Sequence, residues 1–115
     1  MPPFMLDVEK TAGSTDDVTV YQLKGKLSLE TVAGFIPRLR QEAANHVILD
    51  MSRVNFLDSA GVGALVSLFV SRRNQGKTFA LAALTSQATA VVTVAGLQKL
   101  LPVSKTMEEA FASGS

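Results

Sequence analysis

Val47-Ile48-Leu49-Asp50-Met51-Ser52-Arg53-Val54-Asn55-Phe56-Leu57-Asp58-Ser59-Ala60-Gly61-Val62-Gly63 is the stretch that decides the fold. It opens on a short, fully apolar run, Val47 to Leu49, of the kind that a central strand buried on both faces requires. The chain leaves this run through Asp50-Met51-Ser52 and Asn55 and delivers an Asp-Ser pair to a long apolar segment. That segment reads as a helix from about Ser59 to Asn74, ending before Gly76. A buried strand that feeds a helix is the repeating unit of an α/β sheet.

Downstream, Thr78 to Ala82 reads as a further strand, and Ser86 caps a helix through Ala95. Gly96 then takes the position just past the helix end, and Leu97 supplies the hydrophobic contact that accompanies such a stop. Leu101 to Val103 suits a short edge strand, because Pro102 has no N–H to give to a central ladder. Thr106 and Glu109 form a capping box for a last short helix ending near Ala112. Upstream, Phe4 to Glu9 and Val18 to Leu23 alternate as strands and form an antiparallel hairpin across a turn rich in Gly, Ser and Asp at Thr11 to Asp17. Gly25 marks another turn. Leu29, Val32, Ala33, Ile36, Leu39 and Ala43 recur at helical spacing, with Ser28 as N-cap. Pro37 lies inside that pattern, where it removes a hydrogen bond and crowds the carbonyl of Ala33 at a cost of about 3 kcal/mol. A kink, or a helix that begins near Pro37, is expected. The whole is an α/β chain: a mixed sheet of four to five strands with an N-terminal hairpin, packed against about four helices. Residues 1–115 are expected to form one domain, frayed at 1–3 and 112–115.

A chain of 115 residues buries roughly 65% of its unfolded surface, enough for one core. With no Trp, one Tyr and six Phe, that core is aliphatic. Charged residues make up 18% of the chain, below the roughly 25% of an average protein, so the surface must expose neutral side chains. Such a surface favours protein contact over long-range electrostatics. A net charge of +1 gives no reason to expect a nucleic-acid partner. The absence of cysteine excludes disulfides, thiolate nucleophiles and Cys-based zinc sites. Met1-Pro2-Pro3-Phe4 lacks the basic start of a signal peptide. The longest apolar stretch, Val62 to Val70, falls well short of the ~20 residues of a membrane span. A cytoplasmic monomer or weak dimer is expected. His46 is the single histidine and has no Cys or second His for a metal, so it reads as structural. Gly25-Lys26 and Gly76-Lys77 lack the spacing of a P-loop. Arg72-Arg73 with Lys77 reads as a solvated helix end. No catalytic set, cofactor or metal is expected.

The chemistry therefore concentrates at Asp58-Ser59. The first N–H groups of a helix have no intrahelical partner and the helix dipole is positive there. A phosphate on Ser59 would meet a ready anion site. The same two residues are also ordinary helix caps, and residue type alone leaves both readings open. The helix face bears on the choice. At about 100° per residue, Val62, Leu65, Val66 and Phe69 fall on one side, which should face the core. Ala60, Gly63, Ala64, Ser67 and Ser71 fall on the other. A surface helix usually carries Lys and Glu on its outer face. This one carries almost no charge for two turns and would let another backbone approach closely. Ala60, Gly63, Ala64 and Ser67 are the expected partner surface, with Ser59 at its rim.

Asp58-Ser59-Ala60-Gly61-Val62-Gly63, after Val54-Asn55-Phe56-Leu57, resembles the central motif of the STAS domains of the anti-sigma factor antagonist family. Gly76-Lys77 before Phe79 is similar to the family's later turn. Val94-Ala95-Gly96-Leu97-Gln98-Lys99-Leu100 is similar to its closing segment, so the resemblance covers nearly the whole chain. It implies that Ser59 is the phosphate acceptor, with Asp58, Gly61 and Gly63 as supporting motif residues. It also implies the partners: an anti-sigma factor that is a serine kinase, bound by the unphosphorylated form so that sigma factor is released, and a PP2C-type phosphatase that resets the switch. One departure stands out at Gly25-Lys26-Leu27-Ser28, where Ser28 replaces a commonly acidic residue near the phosphorylation loop. The other role the resemblance admits is a non-switching STAS subunit of a transporter or stress-signalling assembly.

Overall fold

Three parallel strand pairings set the architecture, because each requires a crossover long enough to hold a helix. The computed structural model of the chain describes residues 6–12 and 17–112. Strand β1 (Leu6–Ala12) pairs antiparallel with β2 (Val18–Leu27). Strands β3 (His46–Leu57), β4 (Thr78–Ala82) and β5 (Val103–Ser104) follow in parallel, in the order β1-β2-β3-β4-β5. Crossovers of one hand between successive neighbours leave their helices on the same face of a sheet. Helices α1 (Val32–Arg40), α2 (Ser59–Asn74) and α3 (Ser86–Val94) accordingly share one core, built on Leu23, Val47, Leu49, Met51 and Leu81 of the sheet. Phe35, Leu65, Leu68 and Val92 fill it from the helices. The short α4 (Met107–Ala112) covers the opposite face over Val20, Ile48, Ala80 and Ala82. Strand β3 is buried on both faces from His46 to Leu49, as its apolar run requires.

The strands are longer than the sequence suggests. β3 continues through the expected loop to Leu57, accompanied by β2 as far as the Leu27–Leu57 pair. β4 accompanies it only to Asp50–Ala82. The exposed edge beyond is completed by side chains. Thr85 Oγ1 donates to the Val54 carbonyl at 3.1 Å. The Gln87 amide meets Leu57 like a strand residue, accepting from its N–H at 2.9 Å and donating to its carbonyl at 3.1 Å. Gly25 is therefore no turn. With φ +114° it sits at a register irregularity that lets β2 keep pairing with β3.

The reversal comes three residues later. Ser28 is not the N-cap: its carbonyl accepts from both Thr31 N and Val32 N at 3.0 Å, which closes a tight turn. Thr31 takes the cap position, but its hydroxyl reaches back to the Lys26 carbonyl at 2.8 Å instead of capping the helix. α1 starts at Val32, ahead of Pro37, and carries Pro37 in its interior. Ala33 and Pro37 both face solvent, so the carbonyl that loses its donor is open to water.

The remaining ends follow from capping chemistry. α3 is capped by Thr85, one residue before the expected Ser86, through Ala88 N at 3.2 Å. Gly96, at φ +73°, follows the helix: Gly96 N bonds Thr93 O at 2.9 Å and Leu97 N bonds Val92 O at 3.1 Å, the paired closure that a left-handed glycine permits. β5 sits slightly later than Leu101–Val103. Thr106 Oγ1 accepts from Glu109 N at 3.1 Å, as expected, while the Glu109 carboxylate reaches past the cap to Lys105 N at 3.0 Å. Phe4, residues 13–16 of the first turn and residues 1–3 and 113–115 lie outside the described residues.

Candidate functional site

The site is the junction of β3 and α2 with the β2–α1 turn beside it. Asp58 has extended backbone, and its Oδ1 accepts from Gly61 N at 2.8 Å, which satisfies one of the orphan N–H groups at the start of α2. Its Oδ2 accepts from Leu29 N at 3.2 Å. One carboxylate thus caps α2 and ties it to a turn 29 residues upstream. Gly61 is required by crowding. A Cβ there would stand 2.3 Å from the Leu27 carbonyl oxygen and 2.7 Å from Leu57 Cδ1. Gly63 is different: a Cβ would meet nothing within 4 Å. A glycine inside a helix costs about 1 kcal/mol relative to alanine, and no contact within the fold explains that cost at Gly63.

Ser59 is the first residue of α2 and its side chain is exposed. Its own N–H and that of Ala60 come before the first intrahelical acceptor. Gly63 is exposed, as the outer face requires, while Ala60 is only half-exposed. Ala64 is not on that face. At 5% exposure it is part of the core, whereas Val66 and Phe69 are only half-buried. α2 lies between α1 and α3, and its buried residues are Gly61, Val62, Ala64, Leu65, Leu68 and Arg72. Packing on both flanks rotates the solvent face away from the one inferred from periodicity. Ser67 is half-buried under α1, where its hydroxyl accepts from Arg40 Nη2 at 3.2 Å.

On the other flank an apolar groove of about 550 Å³ separates α2 from α3. Ser59, Val62 and Gly63 form one wall, and Ala90, Val91 and Val94 the other. Val94 is 89% exposed. The sequence reading missed the α3 wall. The signal was available: α3 is Ser-Gln-Ala-Thr-Ala-Val-Val-Thr-Val, with no charged residue on a helix that faces solvent.

The opposite end of α2 is sealed. Arg72 is 2% exposed, not a solvated helix end. Its Nε donates to Thr78 O at 2.9 Å, Nη2 to Ala44 O at 2.7 Å and Nη1 to Glu42 O at 3.4 Å. Burial pulls its pKa down, opposed chiefly by the negative charge of Glu42. The buried Glu42 carboxylate accepts from Tyr21 Oη at 2.6 Å, Ala44 N at 2.9 Å and Lys10 Nζ at 2.9 Å. Burial would raise its pKa, but those donors outweigh it and hold the group at about 2. Burial, and then the bond to Glu42, push the Tyr21 hydroxyl well above its ordinary range. His46 is also buried. Its Nδ1 lies 2.6 Å from Thr78 Oγ1 and its Nε2 lies 2.8 Å from Ala110 O, so it pegs α4 to the sheet. Among the described residues no group of three or more His, Asp or Glu is placed to hold a metal, and no helix is long and apolar enough to cross a membrane.

Solved structures share this fold. An anti-sigma factor antagonist from Mycobacterium paratuberculosis superposes with a TM-score of 0.86 at 19% identity, covering 98% of this chain and 97% of that one. The anti-sigma factor antagonist SpoIIAA in its unphosphorylated form gives a TM-score of 0.73 at 22% identity, covering 95% of each chain. The murine anion transporter Slc26a9 gives 0.73 at 19% identity over 85% of this chain and 18% of the transporter. Residues 9–110 match the STAS domain, and the chain belongs to that family.

Proposed function

We propose that this chain is an anti-sigma factor antagonist: its unphosphorylated form binds an anti-sigma factor that is also a serine kinase, and phosphorylation of Ser59 ends that binding. The observation that carries the reading is the placement of Ser59. Its exposed hydroxyl stands on the first residue of α2, on the wall of an uncharged groove. The likeness of fold to anti-sigma factor antagonists supports it.

Phosphate adds about −1.5 to −2 charges at neutral pH. The helix start tolerates that charge, so the fold survives. A partner seated on the groove instead meets a dianion at a neutral, desolvated contact, at a cost of several kcal/mol, and each 1.4 kcal/mol is tenfold in affinity. A PP2C-type phosphatase restores the binding form, and the cycle operates in the cytoplasm. The test is binding of the anti-sigma factor to Ser59→Ala and Ser59→Glu chains. The alanine chain binds and the glutamate chain does not, with both folded. Equal binding by the two refutes the switch. The likeness to the transporter supports a second reading, a STAS subunit that does not switch, and equal binding is the outcome that reading requires.

A further inference from the structure

The β2–α1 turn presents a leucine to water in a rigid frame. Leu29 is 70% exposed. Its neighbour Ser28 is buried and spends its hydroxyl on Glu30 Oε2 at 2.6 Å. Ser28 N donates to Thr31 Oγ1 at 3.0 Å, and Leu29 N donates to Asp58 Oδ2 at 3.2 Å. A single exposed leucine on a loose loop means little. Here the backbone on both sides is pinned, and one of the pins is the carboxylate that caps the helix bearing Ser59. Ordering a turn so that an isobutyl group faces solvent gains nothing for the fold.

We propose that Leu29 is a specificity-determining contact: it enters an apolar pocket of the partner that docks at Ser59, and Asp58 positions it to do so. The assignment rests on the phospho-switch reading above. It fixes the chemistry of the partner at this point. Beside Leu29 the exposed Glu30 carboxylate is held by the Ser28 hydroxyl, so the complementary surface is an apolar pocket with a basic rim. Leu29 touches none of the reacting atoms, so it acts on docking and leaves phosphoryl transfer alone.

The probe is the purified anti-sigma factor kinase that modifies the wild-type chain, with ATP. Leu29→Ala is expected to weaken docking about tenfold or more and to raise KM correspondingly, with kcat for Ser59 phosphorylation unchanged. Leu29→Met, of similar volume, is expected to bind within about threefold of wild type, and both variants to melt with wild type. Leu29→Ala binding within about twofold of wild type overturns the assignment, as does a large fall in its melting temperature, which would place Leu29 in the chain's own packing. In either case wild type is still bound and phosphorylated, and the phospho-switch reading stands. A wild-type chain that no anti-sigma factor kinase binds or modifies overturns that reading, and the role of Leu29 with it.

Discussion

The two ends of α2 are built to opposite rules. At its C-terminal end the helix spends its one buried charge on the fold: Arg72 holds carbonyls from the α1–β3 connection and from β4. The surface that remains there, at Arg73 and Asn74, is charged or polar. At its N-terminal end the side chains are small and uncharged, Ser59 is exposed, and Gly63 has open space around it. Both ends of the helix expose residues, but the uncharged surface is at the N-terminal end.

Breaking the sealed end carries the largest expected effect. Arg72→Ala removes the guanidinium from the Ala44, Thr78 and Glu42 carbonyls, of which Glu42 keeps Lys77 Nζ at 3.5 Å, and should cost about 2–4 kcal/mol, read as a fall in the denaturation midpoint. A loss below about 1 kcal/mol would mean that the guanidinium contributes little to the fold. The same network predicts an acid sensitivity. The folded pKa of Glu42, about 2, lies below its usual value of 4.5. Its contribution is therefore complete above about pH 4.5 and is lost as pH falls towards 2, about 3 kcal/mol in all. Stability measured across that window should decline in the wild-type chain. It should be flatter in Glu42→Gln, and parallel curves would contradict the coupling.

The two glycines of α2 sharpen the contrast with smaller effects. Gly61→Ala drives a methyl against the Leu27 carbonyl and should destabilise by about 2–3 kcal/mol. Gly63→Ala meets nothing and should stabilise the fold by about 0.5–1 kcal/mol. Gly63→Arg should melt within a few degrees of wild type while weakening partner binding. If Gly63→Arg binds like wild type, the partner docks away from the groove.

The boundaries of α2 could be read from the sequence because both ends carry local chemistry: Asp58 at the cap, and Gly76 past the stop. Its orientation could not. Apolar and small residues encircle it, so periodicity alone put Ala64 outside and missed the rotation imposed by α1 and α3. Arg72 was misread for a related reason. A charge near a helix end is usually solvated, and only the fold brings Thr78, Ala44 and Glu42 around it. Gly25 looked like a turn because a register irregularity between parallel strands leaves no local mark. The Asp58–Leu29 bond joins residues far apart in sequence and no spacing announces it.

The uncharged end of α2 is proposed as a phosphorylation switch. Its most direct test is phosphopeptide mapping after reaction with the cognate anti-sigma factor kinase. One phosphate is expected, on Ser59, with none on the Ser59→Ala chain and a phosphorylated protein that remains folded. Phosphate recovered on Ser52, Ser67 or Thr85 with Ser59 unmodified would contradict it.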